Sequence, residues 1–199
     1  MSNKGGHTDK DLGAEKIFKE IEELKHLQIK FGIPEGEGEN KGVGIAQYAA
    51  WNEFGVMNKD NSDWYIPPRP FIKNTLDGKR EKIQQAIGKF YGDVVDGKAT
   101  AKEAVDSTGI ALATLVKNTI KEGGFEPNSQ VTIHGSEVVV VGKETKISKS
   151  GKVYTKTIKK QFIEGKKSTK PLIDTGAMRN AIGAVTLRDG TPISKNKAK

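Results

Sequence analysis

Three prolines within four residues, in Ile66-Pro67-Pro68-Arg69-Pro70-Phe71, constrain this chain more than any other feature. Each proline ring fixes its own φ at about −65° and disfavours helix in the residue before it, so the segment must run extended. A stiff lead of this kind sets the entry angle of the next element at little entropy cost on ordering. That element is an apolar stripe, Phe71, Ile72, Leu76, Ile83, Ile87 and Phe90, which predicts a long helix over 71–92. On the other side of the lead lies a short, aromatic-rich helix over 44–54, with Ile45, Tyr48, Ala49 and Phe54 read as one face and Gly55 placed for a left-handed C-terminal turn.

A second stripe, Ala101, Ala104, Val105, Ile110, Leu112, Leu115, Val116 and Ile120, predicts a helix over 100–121, joined to the first by a Gly/Asp turn. Upstream, Leu12, Ile17, Ile21 and Leu24 recur at helical spacing behind Asp11 as a cap, and 27–33 alternates apolar and polar like a half-buried strand until Pro34 stops it. Residues 35–42 hold three Gly and three Glu and read as a loop. Gly123-Gly124 ends the second long helix, and Val131-Thr132-Ile133 with 138–141 reads as a hairpin around His134-Gly135-Ser136. The stretch 143–170 alternates only weakly, at Val153-Tyr154-Thr155 and Phe162-Ile163, as an exposed hairpin or arm would. Pro171-Leu172-Ile173 restores core character; Asp174 or Thr175 can cap a short helix over 175–182, 184–187 is a final strand, and the last ten residues are expected to be disordered.

The fold class is therefore α+β: a small, mainly antiparallel sheet of 27–33, 131–141 and 184–188, packed against two long helices. The expected organisation is a flexible N-terminus (1–11), one core domain (12–142 with 171–188), a Lys-rich insertion (143–170) and a basic tail (189–199). The length of 199 residues suits one such core with extensions.

Net charge is +8 but segregated. Ten Lys face two Glu within 143–170, while 1–142 is mildly acidic. A folded nucleic-acid face would set basic residues among aromatic or Arg contacts; here Lys is interleaved with Ser, Thr and Gly. There is no cysteine, which excludes disulfides and thiolate metal sites. No apolar run approaches the roughly 18 residues that cross a bilayer, and the N-terminus lacks the apolar stretch of a signal peptide, so a cytoplasmic site of synthesis is expected.

Catalytic constellations are wanting. Gly92 to Ala99 resembles a phosphate-binding loop, but Ala99 has no hydroxyl for a magnesium ion and the segment lies between two helices, so a helix–helix turn is expected. His7, His26 and His134 stand far apart, with no carboxylate at metal-ligand spacing. The pairs Glu22-Glu23 and Asp93 with Asp96 fall on polar faces or in turns, where nothing shifts a carboxylate pKa. No nucleophile elbow or Cys/His pair exists, so no enzyme, metal or cofactor is expected.

Two segments stand out: Tyr48 to Gly55 with Ile66 to Ile72, and Lys170 to Ile182. In that order, Ala50-Trp51-Asn52-Glu53-Phe54-Gly55, Ile66-Pro67-Pro68-Arg69-Pro70-Phe71-Ile72 and Pro171 to Ile182 resemble the tail-component and virion-morphogenesis proteins of tailed phages, which include neck, tail-terminator and tail-completion proteins. The likeness spans the landmarks of about 27–187 and does not require 143–170. It implies a structural ring, of six copies or matching the connector, at the head–tail junction of the virion, with a lumen wide enough for DNA. Under it, Trp51, Glu53, Phe54, Arg69, Pro70, Phe71, Asp174, Thr175 and Arg179 form the structural motif. Phe54 is expected to pack inward. Arg69 and Arg179 are expected either to bridge Glu53 or Asp174 within the subunit or to clamp a carboxylate across an interface. Lys156, Lys159, Lys160, Lys166 and Lys167 would dock an acidic neighbouring neck, connector or tail protein. A tail-terminator ring, or a nucleic-acid-binding or assembly factor using the same lysines on phosphate, is the competing reading.

Overall fold

The computed structural model describes residues 13–34, 36–40, 42–57, 64–139, 143–147, 153–157, 160–165, 169, 171–172 and 176–197. They belong to two compact units, Met1–Glu122 with Gly176–Lys199, and Gly123–Thr175.

In the first unit, helix α1 (Ala14–Leu24) leads into strand β1 (Leu27–Gly32). Two-residue strands β2 (Glu39–Asn40) and β3 (Val43–Gly44) pair within the Gly/Glu segment, and Gly38 O accepts the first amide of helix α2 (Ile45–Phe54). Strands β4 (Val56–Met57) and β5 (Trp64–Ile66) pair antiparallel, and the proline lead then delivers helix α3 (Phe71–Gly78). The helix expected over 71–92 is broken once: α3 ends at Gly78, Lys79 takes φ −122° and ψ 25°, and helix α4 (Arg80–Val95) begins. Glycine without a Cβ is the weak point of a helix. Here the kink coincides with Lys79 Nζ reaching Glu122 at 2.7 Å. Helix α5 (Ala101–Glu122) is the long central element.

The second unit holds a helical turn, α6 (Gln130–His134), and strands β6 (Gly135–Val139), β7 (Lys143–Ile147), β8 (Val153–Thr157) and β9 (Lys160–Glu164). The hairpin expected around His134-Gly135-Ser136 does not form. Ser129 caps a helical turn instead, its Oγ accepting Thr132 N at 3.2 Å, and Gly135 at φ +84° ends that turn. Strand β6 pairs with β9, Gly135 opposite Glu164 through Val139 opposite Lys160, and β7 pairs with β8 nested inside them. The Lys-rich insertion thus contains paired strands, in keeping with its weak alternation.

The chain re-enters the first unit through helix α7 (Ala177–Ala181), strand β10 (Gly183–Arg188) and strand β11 (Thr191–Lys197). The sheet is antiparallel in the order β1-β10-β11. Its third strand is therefore β11 and not the expected 131–141, and the tail expected to be disordered is ordered through Lys197. Asp189 (φ +48°) and Gly190 (φ +83°) make the two-residue turn with both φ positive that matches the twist of a hairpin. None of the β11 side chains is buried; Pro192, Lys195 and Lys197 suit an outer strand, which such residues protect from pairing with other chains.

Helix α5 lies across the sheet and buries Ala104, Val105, Ala113, Val116 and Ile120 against β1, β10 and the neighbouring helices, with Val94, Ile182, Ala184 and Leu187 completing the core. The approach is closest at Gly109, where an added Cβ would stand 2.7 Å from Ala184 Cβ and 3.5 Å from Ile29 Cγ2. Neither neighbour is the free end of a flexible chain. Gly109→Ala should therefore destabilise by about 1–2 kcal/mol in urea unfolding, the overpacking cost outweighing the better helix propensity of alanine. A variant as stable as the parent would show that the two layers can part freely.

Candidate assembly surface

Helix α2 and the start of α3 meet at the proline lead, and α7 packs against α2. Asn52 and Glu53, on the inward side of α2, both serve the lead. Asn52 O accepts Arg69 N at 2.5 Å, its Oδ1 lies 3.4 Å from Arg69 Nη1, and its Nδ2 donates to Tyr48 O at 2.8 Å. The Glu53 carboxylate accepts two backbone amides at the start of α3, Ile72 N at Oε2 (2.9 Å) and Lys73 N at Oε1 (3.0 Å). Because proline at 70 can supply no side-chain cap, a carboxylate 19 residues upstream satisfies the first turn and complements its positive end. Phe71, the first residue of α3, is 1% exposed, and Arg69 is 5% exposed, buried within the chain itself. One turn on, Thr75 Oγ1 lies 2.7 Å from Phe71 O and 2.8 Å from Thr119 Oγ1, tying α3 to α5.

Phe54 does not pack inward: it is 75% exposed. At 100° per residue it lies opposite Ile45 on the helix, whereas Ala49, Asn52 and Glu53 fall on the buried side with Ile45. Trp51 is half-buried and accepts Gly55 N at its carbonyl (2.9 Å); Gly55 has the positive φ (+76°) that favours glycine, but with ψ 171° it leaves the helix extended and does not make the left-handed turn expected there. Helix α7 packs against α2, burying Met178 and Ala181 and leaving Arg179 half-buried. Asp174 and Thr175 lie outside the described residues, as do Lys159, Lys166 and Lys167. Lys156 stands opposite Glu144 in the β7–β8 register, and Lys160 opposite Val139 in the β6–β9 register.

Sequence reasoning misses two polar hubs. Asp106 on α5 accepts Lys102 Nζ at 2.6 Å, Ser194 Oγ at 2.5 Å and Thr186 Oγ1 at 2.5 Å, joining helix, central strand and outer strand. Partial burial pushes its carboxyl up, but the three donors outweigh this and hold it below the ordinary range. A depressed folded pKa means stability present above the unfolded value and lost as pH falls through the folded one. The stability gap between the parent and Asp106→Asn should therefore be full at pH 6 and shrink below about pH 4, read by urea midpoints. A gap independent of pH would remove the charge from the account. The second hub is Glu37, whose two oxygens hold Lys195 Nζ at 2.6 Å and Lys197 Nζ at 2.5 Å, with its carboxyl lowered by those bonds. At the far end of β10, the Asp189 carboxylate contacts His26 Nδ1 at 2.9 Å and raises its pKa. Only the Asp189-Gly190 pair announces any of this in the sequence.

The segment resembling a phosphate loop is a helix–helix turn. A shallow cleft there is lined by Ile17, Glu20, Val94, Gly97 and Lys98. The amides that would cradle phosphate are engaged by the segment's own carbonyls: Gly97 N donates to Val94 O at 3.0 Å, and Lys98 N and Ala99 N to Asp93 O at 2.8 and 3.1 Å. Among the described residues, no group of three or more His, Asp or Glu could hold a metal ion, and no helix is long and apolar enough to cross a membrane. What the arrangement can do is hold shape: a buried polar joint sets α2, the proline lead and α3 in fixed relation and leaves Phe54 outside. Comparisons with family models, curated proteins and solved structures found no match to this chain.

Proposed function

We propose that the chain is a non-enzymatic structural protein of the head–tail neck of a tailed-phage virion, forming or completing a ring that joins tail to head. The observation that carries this reading is the convergence of the resembling segments. The aromatic helix end caps the helix after the proline lead through Glu53, and α7, which closes the third segment, packs on α2. These residues are spent on rigidity and not on a reaction centre, as a ring subunit requires. A closed ring needs one patch that meets a different patch on the next copy, and the exposed Phe54 is an apolar anchor of the kind that interfaces use. The Lys-rich strands of the second unit suit an acidic face on a neighbouring neck, connector or tail protein.

Native mass spectrometry of the purified chain should give one closed oligomer, six copies being the number the resemblance implies, and a virion reconstruction should carry this chain at the head–tail junction. Phe54→Ser should dissociate the oligomer while the subunit melts within a few degrees of the parent. A protein that stays monomeric at high concentration and is absent from the particle would sink the proposal.

A further inference from the structure

We propose that β11 is a charge-latched strand: it opens as one piece when its carboxylate partners are neutralised, while the rest of the first unit stays folded. No side chain of the strand is buried. Thr191, Pro192, Ile193, Lys195 and Lys197 are exposed and Ser194 and Asn196 half-buried, whereas the neighbouring β10 buries Ala184, Thr186 and Leu187. The ladder between the two strands shifts register between Thr186 and Leu187, which interrupts it near the turn. What the side chains add is polar and comes from other elements. Asp106 on α5 accepts Ser194 Oγ at 2.5 Å, and Glu37, in the segment before α2, accepts Lys195 Nζ at 2.6 Å and Lys197 Nζ at 2.5 Å. Successive side chains of a strand point to opposite faces, so the two carboxylates grip β11 from both sides. The Glu37 side chain is 5% exposed, and without its lysines it would be a covered charge with no counterion.

The rest of the unit does not depend on the strand. Strand β10 keeps β1 on its other side, from Leu27 opposite Arg188 to Gly32 opposite Gly183, and α5 packs over both. An element with few buried apolar contacts is the kind that opens locally, at less cost than global unfolding. The other charges around β11 do not replace the latch: Lys102 shares Asp106, Lys117 sets like charge beside Lys197, and Arg188 pairs with Glu23. At the turn, Asp189 holds His26 Nδ1 at 2.9 Å, with Glu22 and Glu23 also acting on the ring. Glu37 is lowered by its lysines, and Asp106, though partial burial pushes it up, is lowered by its donors; both latches are full above the ordinary carboxylate range and lost as pH falls through the folded values. The raised His26 has the opposite sign, full below about pH 6.5 and lost as pH rises through its folded value. An opened β11 uncovers the backbone edge of β10, to which an extended segment can add. The inference rests on hydrogen bonds within the chain and not on the neck proposal.

The test is native-state hydrogen exchange of the full chain, read by mass spectrometry on peptides and corrected for the intrinsic pH dependence of exchange. In Glu37→Gln/Asp106→Asn at pH 6, protection over 191–197 should fall at least about tenfold, while peptides from β1 and from the second half of α5 keep the parent's protection within about twofold. Lys195→Gln/Lys197→Gln, which leaves α5 untouched, should give the same pattern. The parent should lose the same protection as pH falls below about 4. A selective loss over 191–197 in either double variant supports the latch. Failure of both to show it, whether protection is unchanged or β1 loses it in equal measure, would overturn the assignment.

Discussion

Phe71→Ala should lower the unfolding free energy by about 3–5 kcal/mol, the largest effect expected of any single truncation in the first unit. The ring is 1% exposed at the junction of the proline lead with α3, a helix that packs on α5. Its removal deletes apolar contact and leaves a cavity that the lead cannot collapse to fill, because Pro67, Pro68 and Pro70 have little freedom to move inward. Phe71→Leu, which keeps most of the volume, should lose less than half as much. Phe54→Ala, compared at a protein concentration low enough for parent and variant both to be single chains, is the internal control: an aromatic exposed to 75% should cost within about 0.5 kcal/mol. Urea denaturation midpoints with unchanged slopes decide the matter. Equal losses at 54 and 71 would contradict the assignment of inside and outside on α2 and α3.

The second large effect is expected at Glu53. Glu53→Ala leaves the Ile72 and Lys73 amides without their acceptor in a half-buried place, and removes a negative charge from the positive end of α3. Two charge-assisted bonds are lost together, and the total should be about 3 kcal/mol, more than an exposed helix cap contributes. In a chain of this size that is a fall of roughly 6–12 °C in melting temperature. Glu53→Gln keeps one oxygen as acceptor and should recover about half. If Glu53→Ala melted with the parent, the amides would have found another partner and the carboxylate would be free for an intersubunit role.

The contrast between these two positions shows what a sequence can disclose. The long helices are legible because α4 and α5 keep their apolar residues in phase over many turns, and β1 because 27–32 alternates and Pro34 stops it. Phe54 is misplaced by the pattern because α2 has fewer than three turns, and its buried face includes Asn52 and Glu53, which a hydrophobic template scores as solvent-facing. The service Glu53 performs is tertiary: nothing in local spacing says that a carboxylate on one helix will cap another 19 residues away. Strand β11 escapes notice for a different reason. Its composition is that of a disordered tail, and only the turn chemistry of Asp189-Gly190 tells it apart. Val131-Thr132-Ile133 reads as strand from its branched side chains, but Ser129 and Gly135, a cap and a stop, decide for a helical turn.

Strand β1 pairs with β10 from Leu27 opposite Arg188 to Gly32 opposite Gly183, partners more than 150 residues apart. A ribosome releasing this chain must therefore deliver residue 188 before the central sheet can close, and α5 emerges earlier with its apolar side uncovered. Newly made chains spend that interval exposed to one another. Fewer chains in synthesis at once, low temperature or a holding chaperone should therefore raise the yield of folded protein.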